Sequence, residues 1–304
     1  MPRLVAIGGG KGGIGKSVLA AGIGIELARL GHRVVLVDCD LGGANLHSLL
    51  GVSYPKETLS DFVLRRAATL DELVVRTPVT GLGLISGARN AIQVANPMHQ
   101  QKLRLMRALG RLAADTVVLD LGAGTHFNIV DFFLLAHHGI LVAIPEPTSV
   151  ENAYRFIKAA FLRKLRMADG VVSMREIVQE VVRERTGLPL TAAELVAAVS
   201  LRDPEAGAAA ARQIAGFRPL LVVNQVRETP DLRLGEGIAA AVERLFGVHL
   251  GYLGHLRYDD QVWRAVRSRQ PFLFDQLGRP FETELATIVQ RLLGLPLPAR
   301  EEQA

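Results

Sequence analysis

The sequence predicts an α/β fold, a doubly wound and mostly parallel sheet with helices on both faces. Short apolar runs alternate with segments of helical spacing, and this alternation favours parallel strands joined by crossover helices. The chain has 304 residues, of which 49% are hydrophobic, so it holds ample material for a buried core. Aromatic residues make up only 5% of the chain, so we expect a core of Leu, Val, Ile and Ala.

The predicted strands are short apolar runs that end near glycine or polar residues. In chain order they are residues 4–7, 33–37, 82–85, 116–119, 140–144 and 220–223, with 251–256 as a weaker candidate. The first predicted helix covers residues 17–30 and stops at Gly31, a residue typical of helix C-termini. Ligands bind at the carboxyl ends of such strands, so residues after Ile7, Val37 and Leu119 are candidates for a site.

One segment interrupts the alternation. Between a helix near Ser149 and the strand at Leu220 lie roughly seventy residues, far more than a simple crossover needs. Helices are predicted at residues 174–185, 191–200 and 205–214, and Thr191 with Glu194 forms a capping box. We therefore expect a single domain over residues 1–304, with a helical insertion at about 167–217 and a disordered tail at 296–304.

A glycine-rich stretch, GKGGIGKS, lies between the first predicted strand and the first predicted helix. It matches the phosphate-binding pattern G-x-x-x-x-G-K-[ST] in full, in which backbone N–H groups and a helix N-terminus face phosphate oxygens. Lys16 is then placed to reach the β and γ phosphates, and the Ser17 hydroxyl to bind Mg²⁺. The predicted nucleotide-binding residues are Gly10, Gly12, Gly13, Ile14, Gly15, Lys16, Ser17 and Val18.

A second lysine, Lys11, lies inside this loop, where most P-loops do not need one. The stretch from Lys11 to Ser17 resembles the deviant Walker A motif, KGGxGK[ST], of the MinD/ParA class of P-loop ATPases. The resemblance implies ATP and Mg²⁺ as cofactors, catalytic roles for Lys11 and Lys16, and an ATP-dependent homodimer. In that dimer Lys11 reaches the partner's phosphates and neutralises charge, much as an arginine finger does.

Carboxylates follow two predicted strands. Asp38 and Asp40 end one apolar run, and Asp120 ends another in the Walker B pattern. By resemblance to the class, Asp40 orients the attacking water, and Asp38 and Asp120 join Ser17 in holding Mg²⁺. A turn or helix cap is the alternative for Asp38. The resemblance also implies that Asn45 lies near the phosphates and that residues 122–124 form a mobile second switch loop.

Asn224 ends the apolar run at residues 220–223. By resemblance to MinD-like proteins it hydrogen-bonds the adenine, and a turn residue is the alternative. The guanine-specific pattern N-K-x-D does not begin there, which favours ATP over GTP. The single cysteine, Cys39, excludes an intramolecular disulfide and a cysteine-ligated cluster, so it argues against a cluster carrier or reductase.

Several stretches resemble one branch of the class, the FlhG (FleN) regulators of flagellar number and placement. They are residues 40–50, 145–149, 223–226 and 252–270. The likeness implies a slow, partner-stimulated ATP hydrolase that regulates where, or how many copies of, a cellular structure assemble, with a protein partner. The alternative is a nucleotide-gated binding module with negligible turnover, acting through its helical insertion.

Charge and hydropathy bear on location and further partners. The sequence has no secretory signal and no apolar stretch long enough to span a bilayer, which favours the cytoplasm, with the inner-membrane periphery as an extension. Residues 281–295 have one apolar helical face, which predicts a helix packed on the core, with reversible membrane contact as the alternative. The net charge of +5 permits nucleic-acid contact, but DNA is the less favoured partner.

Overall fold

The computed structural model describes residues 1–40, 45–53, 55–87, 99–166, 176–178, 180, 191–268 and 279–295. Within them, eight strands form one sheet. In chain order the strands are β1 (Arg3–Gly8), β2 (Val34–Cys39), β3 (Val75–Arg76), β4 (Leu82–Ile85), β5 (Thr116–Leu121), β6 (His138–Ala143), β7 (Leu220–Val226) and β8 (Gly251–Arg257).

The helices of the described residues lie between these strands in sequence, except for the last two, which follow β8. They are α1 (Lys16–Arg29), α2 (Leu46–Leu49), α3 (Leu59–Val63), α4 (His99–Leu109), α5 (Phe127–Leu135), α6 (Pro147–Arg166), α7 (Ala192–Arg202), α8 (Pro204–Ala215), α9 (Leu234–Phe246), α10 (Asp260–Ser268) and α11 (Arg279–Leu293). Short 3-10 helices cover Asp71–Leu73 and Thr229–Arg233. No helix in this part of the chain combines the length and apolarity needed to cross a membrane.

The strand order is β3-β4-β2-β5-β1-β6-β7-β8, and every neighbouring pair is parallel except β3 with β4. Alternating side chains of β1 enter two cores on opposite faces of the sheet, Leu4 and Ala6 in one and Val5 and Ile7 in the other. Residues of α1, α2 and α11 complete the second core, whereas residues of α3 to α9 complete the first. The predicted doubly wound, mostly parallel sheet is confirmed.

The helical segment before β7 contains two of the predicted helices. The Thr191 side chain accepts the Glu194 backbone N–H, and the Glu194 carboxylate accepts the Thr191 backbone N–H, so the capping box is present. Of the predicted helix at 174–185, only residues 176–178 and 180 are described, and they are helical. The insertion bounds at 167–217 and the single-domain assignment stay predictions, and the tail at 296–304 lies outside the described residues.

The C-terminal helix α11 buries its apolar face. Phe281, Leu285, Ile288, Val289 and Leu292 are at most 5% exposed, and they share a core with α1 and β8. Packing on the core is therefore the interpretation that holds. The structure contradicts the alternative of membrane contact through this face, because other parts of the protein cover it.

Helix α11 also binds the backbone of β8, which lies at one edge of the sheet. Arg291 donates to the Leu253 carbonyl at 2.9 Å, and the Arg257 backbone N–H donates to Glu284 at 2.8 Å. Two backbone groups of an edge strand are therefore satisfied by side chains of a neighbouring helix.

Candidate functional site

The glycine-rich loop joins β1 to α1 at the carboxyl end of a central strand. Gly13 and Gly15 have φ angles of 76° and 87°, which residues with a side chain rarely adopt. A Cβ on Gly15 would clash with Asn224 Nδ2, whereas a Cβ on Gly12 or Gly13 would meet nothing within 4 Å. The loop is thus tightly curved at its helical end and open around Gly12 and Gly13, where a ligand has room to approach.

Lys16 begins α1 and turns its side chain back over this loop. It is only 8% exposed, and its Nζ donates to the Lys11 carbonyl at 3.2 Å. Burial lowers the pKa of Lys16, while the nearby charges of Asp120 and Asp40 act in the opposite direction. The ammonium therefore lies near a loop carbonyl and the strand-end carboxylates. An anionic ligand there would offset the free-energy cost of burying its charge.

Asp38 and Asp120 lie side by side on neighbouring strands. They are register partners of β2 and β5, and both are at most 2% exposed. Burial raises the pKa of Asp38 to about 7 and that of Asp120 to about 8. The charge of Asp38 also raises the pKa of Asp120, and the charge of Asp40 raises the pKa of both. A cation beside this pair would stabilise the ionised form of both.

The Asp38 carboxylate is held by backbone N–H groups. It accepts hydrogen bonds from Asp40 at 3.1 Å, Asn45 at 3.0 Å and Leu46 at 3.2 Å. Asp38 therefore binds the backbone of both Asp40 and Asn45. It also accepts N–H groups at the start of α2, as the cap interpretation predicted. Its magnesium role stays a prediction.

Asp120 offers an oxygen to a ligand. Its Oδ1 is buried without a hydrogen-bond partner, and its carboxylate also forms a hydrogen bond with the Ser17 side chain. One hydroxyl and a carboxylate suit Mg²⁺, which takes few protein ligands and shares phosphate oxygens and water. No group of three or more His, Cys, Asp or Glu side chains in the described ranges is arranged to hold a metal. The residues thus fit Mg²⁺ bound together with a nucleotide.

The loops that follow β2 and β5 meet beside the glycine-rich loop. A Cβ on Gly122 would lie 3.4 Å from the carboxylate of Asp40, which is half-buried. The Gly124 backbone N–H donates to the Gly9 carbonyl at 3.2 Å. The predicted residues Asp40, Asp120, Lys16 and Ser17 are therefore brought together at one edge of the sheet.

The end of β7 reaches the same loop from the other side. Asn224 is buried, and its Nδ2 donates to the Ile14 carbonyl at 2.9 Å. Gln225 has a φ of 57° and donates from Nε2 to the Gly13 carbonyl at 3.3 Å. Asn224 thus braces the loop, and its contact with adenine stays a prediction. Sequence reasoning missed Gln225, whose only sequence signal is its place beside Asn224.

Lys11 contacts its own chain. Its Nζ lies 2.6 Å from Glu146 Oε2 and 3.4 Å from Thr148 Oγ1, both of which follow β6. Sequence reasoning missed both residues as members of the site, although their segment carried the resemblance to the FlhG branch. Arg163, near the end of α6, pairs with Asp131 of α5 at 2.6 Å.

Comparisons with known proteins also point to a nucleotide-binding domain. The sequence matches the family described as CobQ/CobB/MinD/ParA nucleotide binding domain over residues 5–272. It is 35% identical to the antiactivator FleN of Pseudomonas aeruginosa over 301 residues, which cover 98% of this chain and 88% of that protein. It is 32% identical to the septum site-determining protein MinD of Synechocystis over 158 residues, 52% of this chain and 59% of that one.

Solved structures share the fold. MinD of Pyrococcus horikoshii, complexed with Mg-ADP, has a TM-score of 0.64 at 19% identity and covers 96% of both chains. MinD of Pyrococcus furiosus has a TM-score of 0.66 at 19% identity and covers 97% of this chain and 100% of that one. The family match and the FleN likeness, taken with the loop that joins β1 to α1, identify this chain as a member of the CobQ/CobB/MinD/ParA family of nucleotide-binding domains.

Proposed function

We propose that this protein is an ATP-dependent dimerising switch that hydrolyses ATP slowly and regulates the assembly of a cellular structure. Its cofactors are ATP and Mg²⁺, the pair used by the P-loop ATPases of its family. The relatives support a regulatory role, since one is named an antiactivator and others are named septum site-determining proteins. By this likeness the regulated structure is a flagellum or the division or partition machinery.

Each site residue has a proposed role. The backbone of Gly10, Gly12 and Gly13 and the Lys16 ammonium bind the phosphates, and the Ser17 hydroxyl with the Asp120 carboxylate binds Mg²⁺. Bound Mg²⁺ supplies positive charge to the phosphate oxygens. Asp38 holds the segment that carries Asp40, and Asp40 orients the attacking water in line.

The dimer is the second part of the proposal. In it, Lys11 neutralises charge on the partner's phosphates, and the loops after β2 and β5 carry the nucleotide state to the surface. A protein partner reads this state and stimulates turnover. The solved complex of MinC with MinD from Aquifex aeolicus supports the binding of a protein partner by this fold. We place the protein in the cytoplasm, with reversible contact at the inner membrane as an extension that the apolar face of α11 does not supply.

The observation that carries the proposal is the convergence of Lys16, Ser17, Asp40 and Asp120 around one glycine-rich loop. A nucleotide-gated scaffold with negligible turnover is not favoured. Nucleotide binding alone would not require Asp40 to lie beside the loop after β5.

The test compares the wild-type protein with Lys11→Ala. Sedimentation and steady-state phosphate release are measured with ATP and Mg²⁺, and nucleotide binding is measured separately with a fluorescent analogue. We expect Lys11→Ala to bind nucleotide normally, to remain monomeric and to lose turnover. Wild-type protein that stays monomeric when saturated with ATP and Mg²⁺, or turnover unaffected by Lys11→Ala, would refute the switch.

A further inference from the structure

The ammonium of Lys11 already has an anionic partner in its own subunit. It lies 2.6 Å from Glu146 Oε2 and 3.4 Å from Thr148 Oγ1, although Glu146 is 135 residues away in sequence. The Lys11 side chain is 38% exposed and that of Glu146 51%, so the pair lies at the surface beside the glycine-rich loop. This contact is part of the folded monomer and not a product of dimerisation.

Both ends of this contact rest on ordered backbone. A Cβ on Gly10 would lie 2.7 Å from the Asn152 carbonyl oxygen, so the residue before Lys11 is fitted against α6. The Glu146 carbonyl accepts the backbone N–H groups of Ser149 and Val150, which places Glu146 at the start of α6. The fold therefore sets the two charged side chains within reach of each other.

We propose that Glu146 is a positioning residue that holds Lys11 in the single subunit and must release it before the dimer closes. The inference rests on the proposed function, in which Lys11 reaches the phosphates of a second copy of this chain. One ammonium cannot occupy both places. Glu146 offers a single negative charge, whereas the end of a triphosphate offers more, so a partner loaded with triphosphate competes best for Lys11.

The chain's own nucleotide would weaken the same contact. The Lys16 Nζ donates to the Lys11 carbonyl at 3.2 Å. When Lys16 turns to the phosphates that it binds, the Lys11 backbone loses this hydrogen bond. Nucleotide in one subunit thus loosens the backbone of Lys11, and nucleotide in the other attracts its side chain. Closure then requires both subunits to be loaded.

The size of the effect follows from the exposure of the pair. Partly exposed ion pairs shift an equilibrium by roughly twofold to fivefold. Closing a symmetric dimer breaks two such pairs, so the expected change in the dimer dissociation constant is about fourfold to 25-fold. Because the pair is exposed, salt weakens it.

The test measures the dimer dissociation constant by analytical ultracentrifugation of the full chain with Mg²⁺ and a non-hydrolysable ATP analogue. Glu146→Gln removes the charge and keeps the shape, and Lys11→Ala with Glu146→Gln removes both partners. The matched control is Glu151→Gln, which removes an exposed carboxylate of α6 that pairs with Arg155. We expect Glu146→Gln to dimerise about fourfold to 25-fold more tightly than wild type at low salt, with a smaller difference at high salt. The control should match wild type.

Three results overturn the inference. An unchanged dissociation constant in Glu146→Gln means that Glu146 does not restrain Lys11. A weaker dimer means that Glu146 contributes across the interface instead. A dimer formed by the double variant, where Lys11→Ala alone stays monomeric, means that the carboxylate acts by another route. In each case a wild-type dimer that depends on Lys11 leaves the proposed function intact, whereas a wild-type protein that never dimerises refutes the function itself.

Discussion

At the scale of single residues, the nucleotide site concentrates buried charge that the empty protein tolerates poorly. Asp38 and Asp120 are register partners with raised pKa values, and Asp120 Oδ1 has no hydrogen-bond partner. Groups arranged for a ligand commonly reduce the stability of the protein without it. The stability of the nucleotide-free protein should therefore depend on the charge of these carboxylates.

Asp120→Asn should stabilise the nucleotide-free protein at pH 8. Burial raises the pKa of Asp120 from its ordinary value of 3.8 to about 8. Between those values the folded state holds a proton that the unfolded state has released, so the free energy of unfolding falls as pH rises. Asparagine has no such proton, and its advantage should be small near pH 4 and large at pH 8. Urea unfolding with EDTA at both values measures it, and an advantage independent of pH would contradict the prediction.

Residue-scale chemistry was only partly predictable from the sequence. Lys16, Ser17, Asp40 and Asp120 follow a motif or end a strand, so local pattern was sufficient to find them. The contact of Lys11 with Glu146 was not predicted, because it joins two loops that only the sheet order β1-β6 brings together. Gln225 was missed for the same reason, since its contact with Gly13 depends on where β7 ends.

At the scale of elements, three helices meet at one buried carboxylate. Asp131 of α5 is 2% exposed and pairs with Lys102 of α4 and with Arg163 of α6. Helix α5 follows the loop after β5, so this cluster fixes the helix that carries the far end of that loop. Removing the charge of Asp131 would leave the buried Lys102 unpaired.

Asp131→Asn should lower the free energy of unfolding by about 3–5 kcal/mol, because Lys102 would then be buried without a counter-charge. Lys102→Met should cost less, since Asp131 retains Arg163 and methionine fills similar space. Urea denaturation measures both variants, with the exposed pair of Glu151 and Arg155 as the control. A loss in Asp131→Asn no larger than in Glu151→Gln would show that the cluster is not stabilising.

Elements with strong local signals were predicted well. Buried parallel strands appear as continuous apolar runs, which is why β1, β2, β4 to β8 and their order of appearance could be read directly. Strand β3 has only two residues, too few for a pattern, and it was missed. The two interpretations of the last helix could be separated only by the structure, because an apolar face looks the same whether α1 or a lipid covers it.

At the scale of the whole molecule, nucleotide binding and dimerisation should both appear as stability. ATP with Mg²⁺ at a hundred times its dissociation constant should add about 2.7 kcal/mol, which raises the Tm of a chain of this length by about 4 °C. Lys16→Ala should lose this increase. In the wild type the increase should also grow with protein concentration, and in Lys11→Ala it should not. Differential scanning fluorimetry over a tenfold range of protein concentration measures both, and a concentration-independent wild-type Tm would argue against the dimer.

The two edge strands of the sheet limit how such molecules can associate. An edge strand with unpaired backbone groups can pair with a strand of another chain. Here β3 offers two residues on one side, and on the other side Arg291 and Glu284 already occupy backbone groups of β8. Fibrous growth by strand addition is therefore disfavoured, and larger complexes must form through loops and helices. The proposed dimer would then be a discrete pair and not one unit of a lengthening polymer.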